Sequence, residues 1–370
     1  MTTAPTSDLT RRALDRIRPD VRDMHAYVVQ SAEGLLKLDA MENPYGLPPA
    51  LQAALGARLG ALAVNRYPGD EAQRLKAAIA AHVDLPSGQS LVLGNGSDEL
   101  ISLLGIACDQ PGATILAPLP GFVMYALSAQ LQGLDFVGVP LDADFQLDEV
   151  AMLAAIAQHK PALLYLAYPN NPTANLFDAA AMRRLIAAQG AQGGLVVIDE
   201  AYQPFAAHSW LDEIRRDPAA HGHVVLMRTL SKFGLAGVRL GYLLAPEALA
   251  AEIDKVRPPY NISVLNAECA LFALEHAEVF EAQAQTIRLE RSRLVEALQA
   301  LPGVKVWPSE ANMVLLRVPD ADAAFAGMKA RGVLIKNVSK MHPLLANCLR
   351  LTVGTPDDNA RMLAALQASL

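Results

Sequence analysis

From about residue 90 onward, short apolar runs recur between stretches with helical patterning. "SLVLG", "ATILAP", "DFVGVPL", "ALLYLAY", "GLVVID", "HVVLMRT" and "RLGYLLAP" are short and bounded by Gly, Pro or Asp. Runs of that kind predict buried strands. Between the first five lie helical patterns such as "SDELISLLGIACDQ" and "LDEVAMLAAIAQH". Strand–helix alternation predicts a largely parallel sheet covered on both faces. The last two runs are separated only by "LSKFGLAGV". That is too short for a helical crossover, so the seventh strand is predicted antiparallel to its neighbour.

After "RPPYNIS" a helical pattern runs from about Val264 to Leu301 and ends at "LPGV". A smaller alternation follows: "GVKVWPS", "NMVLLRVP", "DADAAFAGMKARG", "VLIKNV" and "CLRLTVG". The final helix has a clear start, with Thr355 as N-cap, Pro356 at the first helical position, and Asp357 and Asp358 at the positive end of the dipole. The expected α/β organisation is an irregular arm over 1–45, a large domain over 46–263 and a small α+β domain over 264–370.

Composition narrows the function. The 370 residues allow two domains, and 52% hydrophobic residues allow a sizeable core. A net charge of -7 with no Lys/Arg run speaks against a nucleic-acid partner. Cys108, Cys269 and Cys348 are far apart, forming neither a disulfide framework nor a zinc pattern. His221 and His223 in "AAHGHVV" suggest a loop before a strand rather than a metal site. The start "MTTAPTSDLTRR" lacks an apolar signal core, and no segment offers the ~20 apolar residues of a membrane span. A cytoplasmic protein is the expectation.

Candidate chemistry collects where ligands of open α/β sheets collect, at the carboxyl ends of strands. "LVLGNGSDE" turns from a strand into a helix at Ser97–Glu99, where free N–H groups suit a phosphate. "YLAYPNNPTAN" ends a strand with Asn171. "VVIDEAYQPF" places Asp199 behind an apolar run, with Tyr202 three residues later. Ser231 and Lys232 follow the sixth run, and Arg239 opens the seventh. Each feature alone has a plain structural reading: a turn, a helix-capping Asp, a strand-end lysine reaching solvent. One ligand accounts for all of them. Pyridoxal 5′-phosphate needs a lysine for its aldehyde, a carboxylate for its ring nitrogen, donors for its phenolic oxygen, and N–H groups, hydroxyls and an arginine for its phosphate.

The chain resembles the fold-type-I PLP-dependent aminotransferases of class I/II. The resemblance is carried by "LDAMENPYG", "NRYPGDEAQRLK", "GNGSDEL", "YPNNPT", "VVIDEAY", "RTLSKFGLAGVRLGY", "RPPYNIS", "SEANMVLL" and "CLRLTVGTPDDN". It implies that Lys232 carries the cofactor, that Asp199 pairs with the pyridinium, and that Asn171 and Tyr202 hold the phenolic oxygen. It implies that Phe122 stacks on the ring and that Ser97, Asp98, Ser231 and Arg239 cradle the phosphate. Tyr67 would reach the phosphate from a partner subunit, making a homodimer, and Tyr27, Asn43, Lys336 and Arg350 would stand on the substrate side. Ala174 replaces a usual glycine and is strained if its φ is positive. Lys336 stands where many relatives carry arginine. The substrates implied are L-histidinol phosphate and 2-oxoglutarate, as small-molecule amino donor and keto acceptor. The alternatives are an aromatic aminotransferase, a threonine-phosphate decarboxylase or, less in keeping with the short N-terminal segment, a PLP-binding transcription regulator.

Overall fold

The computed structural model of the chain describes residues 7–26 and 30–370. The described residues up to Gly34 form one compact unit. It holds helix α1 (Asp8–Leu14), whose first turn is capped by the Ser7 hydroxyl, and the one-turn helix α2 (Pro19–Arg22). The segment over 1–45 is therefore not uniformly irregular.

The second unit runs from Leu35 to the C-terminus. It opens with a short strand β1 (Leu36–Lys37) and helices α3 (Pro49–Gly60) and α4 (Glu71–His82). The seven strands expected from the apolar runs follow: β2 (Gln89–Gly94), β3 (Thr114–Leu119), β4 (Asp135–Pro140), β5 (Leu163–Ala167), β6 (Leu195–Asp199), β7 (Val224–Thr229) and β8 (Gly241–Pro246). They form one sheet in the order β2-β8-β7-β6-β5-β3-β4. The pairs among β4, β3, β5, β6 and β7 are parallel, and β8 runs antiparallel to both β7 and β2.

Helices cover both faces. They are α5 (Ser97–Ala107), α6 (Met124–Gln132), α7 (Glu149–His159), α8 (Ala179–Ala191), α9 (Trp210–Arg216) and α10 (Glu247–Asp254). Successive strand side chains point to opposite faces, and the two cores divide accordingly. Leu164, Leu166, Val196, Ile198 and Leu226 share one core with Leu75 and Ile79 of α4, Met152 of α7, Leu185 of α8 and Trp210 of α9. Leu163, Tyr165, Val197, Val225 and Met227 share the other with Leu100 and Leu104 of α5, Tyr125 of α6 and Ile253 of α10.

The long helical pattern is two helices, α11 (Val264–Glu275) and α12 (Ala277–Gln299), broken at His276 with φ -121 and ψ 35. The break follows from packing. Ala267, Ala270 and Leu271 of α11 lie in the core of the large sheet beside α4. Ala284, Ile287, Leu294 and Leu298 of α12 lie in a separate C-terminal core. Arg58 of α3 bonds to Glu268 and Glu275, fastening α11 to the large body. One straight helix could not serve both cores.

The C-terminal part holds β9 (Lys305–Val306), β10 (Met313–Arg317), helix α13 (Ala321–Ala330), β11 (Val333–Leu334), β12 (Lys336–Asn337), β13 (Cys348–Thr352) and helix α14 (Pro356–Gln367). Four of these strands form an antiparallel sheet in the order β12-β13-β10-β9. β1 pairs in parallel with β11 through Leu36↔Val333, so Leu38 and Met41 enter the C-terminal core. α14 starts as its sequence predicts. The Thr355 hydroxyl accepts from Asp358 N–H and the Asp358 carboxylate from Thr355 N–H, a reciprocal capping box.

Candidate active site

A cavity of ≈ 340 Å³ opens at the carboxyl ends of β5, β6 and β7, beside the first turn of α5. Its lining includes Ser97, Asp98, Phe122, Asn171, Asp199, Tyr202, Ser231, Lys232 and Arg239. The strand ends thus bring together residues spread over more than a hundred positions.

Asp199 closes β6 on the face shared with α6 and is 4% exposed. Its Oδ2 accepts the Tyr125 hydroxyl at 2.7 Å and its Oδ1 accepts the Ala201 N–H at 3.0 Å. Burial pushes its pKa up to about 6, against the opposing pull of these two donors. Tyr125 stacks on Tyr165 with centroids 4.3 Å apart, and Phe122 meets Tyr125 edge-on at 5.7 Å. The result is an aromatic floor with one anion set in it.

Lys232 lies in a π-type turn, Ser231–Leu235, just beyond β7, closed by Leu235 N–H donating to Leu230 C=O at 3.0 Å. Such turns concentrate at functional positions. Burial first, then the nearby Arg350 charge, pulls the Lys232 pKa down to about 8. Its Nζ donates to the Ala40 carbonyl at 3.0 Å and sits 5.8 Å from the centroid of the Tyr202 ring. Burial also drives the Tyr202 phenol upward, so this hydroxyl keeps its proton and can donate a hydrogen bond.

At the other end of the cavity Ser97 and Asp98 are the first residues of α5, behind Gly96 with φ 80. A Cβ on Gly96 would stand 2.8 Å from Arg239 Nη2, and one on Gly241 would stand 2.9 Å from the Gly96 carbonyl carbon. Glycine at both positions lets the start of β8 and the Arg239 side chain close on the helix N-terminus. Arg239, at φ 57, donates to Asp98 Oδ2 at 3.1 Å. The Ser231 Oγ accepts from Thr229 Oγ1 at 3.0 Å. Open N–H groups, a hydroxyl and an arginine make a cradle for a phosphate dianion.

Residues 33–366 match the family described as aminotransferase class I and II. The chain belongs to that family. The histidinol-phosphate aminotransferase of Paracidovorax citrulli (strain AAC00-1) is 69% identical over 369 residues, 98% of this chain and 100% of that one. The histidinol-phosphate aminotransferase of Acidovorax sp. (strain JS42) is 68% identical, over 100% of both chains. Among solved structures, the histidinol-phosphate aminotransferase of Sinorhizobium meliloti in complex with pyridoxal-5′-phosphate aligns with a TM-score of 0.79 at 24% identity, covering 95% of this chain and 96% of that one.

As a class I and II aminotransferase the chain uses pyridoxal 5′-phosphate, and the cavity fits it. The buried carboxylate offers an anion to a protonated ring nitrogen, the lowered lysine a nucleophile to an aldehyde, and the glycine-flanked helix start a seat for a phosphate. Of the residues expected on the substrate side, Asn43, Lys336 and Arg350 lie outside the cavity's lining. Arg350 is buried, and donates to Asn171 Oδ1 at 2.8 Å and to the Asp39 carbonyl at 2.7 Å. Lys336 pairs with Arg350 across β12 and β13, so both side chains stand on one sheet face. Asn43 donates to Gln283 Oε1 at 2.9 Å and accepts from Tyr45 N–H at 2.9 Å, bracing the chain before α3 rather than lining the cavity. Tyr67 is 79% exposed and stacks on Tyr260 at 4.7 Å, outside the cavity. Tyr27 lies outside the described residues. Ala174 takes φ 64, the left-handed conformation anticipated for a glycine position, and is fully buried.

Two features of the aminotransferase site were not singled out from its sequence. One is Tyr125, whose signal was its spacing of three from Phe122 at the start of α6. The other is a buried ion pair on the opposite sheet face. Glu200 Oε2 accepts from Arg228 Nε at 3.0 Å and Nη2 at 2.8 Å, and Glu200 also accepts from Ser209 Oγ at 3.1 Å. Adjacent parallel strands that end in opposite charges carried that signal. The pair clamps the ends of β6, which closes with Asp199, and β7, which leads into the Lys232 turn. Removing one partner of such a pair typically costs about 3–5 kcal/mol, because the other is left buried and uncompensated.

Proposed function

We propose that this aminotransferase moves an amino group between L-histidinol phosphate and 2-oxoglutarate, giving imidazole acetol phosphate and glutamate. The geometric observation that carries the reading is the cross-strand placement of Lys336 beside Arg350, with Arg350 linked through Asn171 to the cavity. Two cations on one face suit two substrates that share a cavity and each bear anionic groups. The sequence relatives of the same length and name support it.

When bound, the cofactor supplies an aldehyde that takes the amine and a ring that draws electron density from the carbon losing its proton. In this reading the neutral Lys232 Nζ takes the proton from the amine-bearing carbon and returns it on the other side of the transfer. Asp199 supplies the anion opposite the ring nitrogen. Tyr202 and Asn171 donate to the phenolic oxygen, while Phe122 covers the ring face. Ser97, Asp98, Ser231 and Arg239 would hold the cofactor's phosphate and so fix its position in the cavity. Arg350 takes the α-carboxylate of glutamate, and Lys336 the distal carboxylate or the substrate phosphate. Residues 46–263 carry the cofactor and 264–370 the substrate cations, with α11 packed on the large body.

The test is a side-by-side comparison of specificity constants for histidinol phosphate, phenylalanine, tyrosine and threonine phosphate, with CO2 release followed for the last. Histidinol phosphate is expected to lead. A tenfold advantage for phenylalanine or tyrosine replaces this reading with an aromatic aminotransferase. Lys336→Ala is expected to weaken the phosphate ester by about 1.5–3 kcal/mol, the loss of one charged hydrogen bond. Lys336→Arg is expected to keep it, because arginine supplies the same charge with a second donor.

The active unit in this reading is a homodimer in the cytoplasm, with small-molecule partners and no nucleic acid. The exposed Tyr67–Tyr260 stack is the surface from which Tyr67 would reach the partner's phosphate. Tyr67→Phe is expected to lower cofactor affinity by about tenfold, one charge-assisted hydrogen bond. A fully active monomer in sedimentation at assay concentration would contradict the assembly.

A further inference from the structure

Residues Asp39 to Met41 form a strap whose last two residues line the cavity, and its backbone meets both Arg350 and Lys232. Arg350 Nη2 donates to the Asp39 carbonyl at 2.7 Å, and Lys232 Nζ to the Ala40 carbonyl at 3.0 Å. The next residue, Met41, sits at φ 52. A side chain with a Cβ avoids that conformation unless its surroundings impose it, and imposed strain concentrates at functional sites. The imposing groups are visible. Met41 N–H donates to Thr352 Oγ1 at 3.0 Å, and Asn312 Nδ2 donates to the Met41 carbonyl at 3.0 Å. Thr352 is 3% exposed and Asn312 fully buried. Thr352 N–H also donates to the Leu38 carbonyl at 3.2 Å.

Arg350 and Thr352 lie two apart on β13, so one strand face presents both the guanidinium and the hydroxyl to the strap. We propose that Thr352 and Asn312 are positioning residues: by holding Met41 left-handed they turn the Asp39 and Ala40 carbonyls onto Arg350 and Lys232 and so set the angle at which Arg350 meets a substrate carboxylate. This rests on the reading of Arg350 as the carboxylate-binding cation. A guanidinium recognises a carboxylate through two parallel N–H groups in fixed geometry, so its orientation governs affinity as much as its charge does. Met41 itself lines the cavity. A relaxed φ there would swing both carbonyls and the cavity wall together.

The test uses the holoenzyme and maleate, a dicarboxylate that cannot be transaminated, with binding read from the bound cofactor's visible absorbance. Thr352→Val keeps the shape and removes the acceptor. It is expected to weaken maleate about tenfold and to raise the KM for 2-oxoglutarate by a similar factor, more than kcat falls. Thr352→Ser restores the hydroxyl and is expected to bring maleate affinity back within threefold. Thr352→Ala removes the same acceptor and replaces the valine variant should that one not fold. Met41→Gly, which takes φ 52 without strain, is expected to keep maleate affinity within threefold. If Thr352→Val binds maleate like the wild type while Arg350→Lys loses tenfold or more, the strap has no positioning role and the Arg350 reading stands. Equal losses in the valine and serine variants likewise overturn the proposal, by showing a packing effect alone. If Arg350→Lys leaves maleate unaffected, the Arg350 reading fails and takes the proposal with it.

Discussion

Lys232→Ala is expected to lose transamination by a factor on the order of 10⁴ or more, the upper range for removing a positioned proton-transfer group, here also the nucleophile. Pyridoxal phosphate should still bind, because Asp199, Phe122 and the α5 cradle are untouched, but borohydride should no longer fix it to the chain. In the wild type, peptide mapping after reduction should place the label on Lys232. The pH dependence follows from the same side chain. Its pKa falls from 10.5 to about 8 on folding. The fold thus favours the neutral amine, and the stability this contributes is fully present above 10.5 and is lost as pH falls through about 8. Only the neutral amine attacks an aldehyde. Capture of pyridoxal phosphate by the cofactor-free wild type should therefore quicken as pH rises, with a midpoint near 8, as stopped-flow absorbance would read. A midpoint near 10 would show that the cavity does not lower the amine, and near-normal turnover in Lys232→Ala would remove the lysine from the mechanism.

Asp199→Asn is expected to reduce kcat by about 10²–10³ with little change in KM, the scale seen when a preorganised electrostatic group is removed from a site. The same substitution should help the cofactor-free protein. Burial raises the Asp199 pKa from 3.8 to about 6. Its contribution to stability is full below pH 3.8 and is lost as pH rises through about 6, because above that the fold holds a buried anion. A difference of that size corresponds to about 3 kcal/mol. Denaturant melts of cofactor-free wild type and variant should separate in favour of the variant as pH goes from 5 to 8. Adding cofactor should reverse the order, since a protonated ring nitrogen gives the anion its partner. A change confined to KM, or no gain in the cofactor-free melts, would return Asp199 to a structural role.

The strands of the large sheet were legible because they are buried on both faces, which leaves continuous apolar runs such as "ALLYLAY" and "GLVVID". The antiparallel β8 was legible from a connection too short to cross over. The clustering was legible because strand ends gather ligands whatever the distance in sequence: nine of the ten residues expected around the cofactor line one cavity. Other features left weaker traces. The break at His276 has no Gly or Pro to mark it; it comes from two cores competing for one apolar stripe. Glu200 and Arg228 were hidden by their neighbours, one beside Asp199 and the other inside a strand run. The strap acts through the carbonyls of Asp39 and Ala40, which every residue possesses and no side-chain pattern can distinguish. Asn43 has the right residue type in the right motif, and its amide meets Gln283, the Tyr45 N–H and the Phe233 carbonyl beside Lys232.

The strap also sets a clock. Met41 and Thr352 stand 311 positions apart, as do Asp39 and Arg350. At about 5–20 residues per second, translation needs roughly 15–60 s to deliver the second member of each pair after the first. Until then a nascent chain can own Lys232, Asp199 and the α5 cradle, yet still lack the β13 side chains that seat its own N-terminal segment. Residues 39–41 and strand β13 must both be present for the two carbonyls to find their cations. The seated strap thus comes after every residue that lines the cavity has been made.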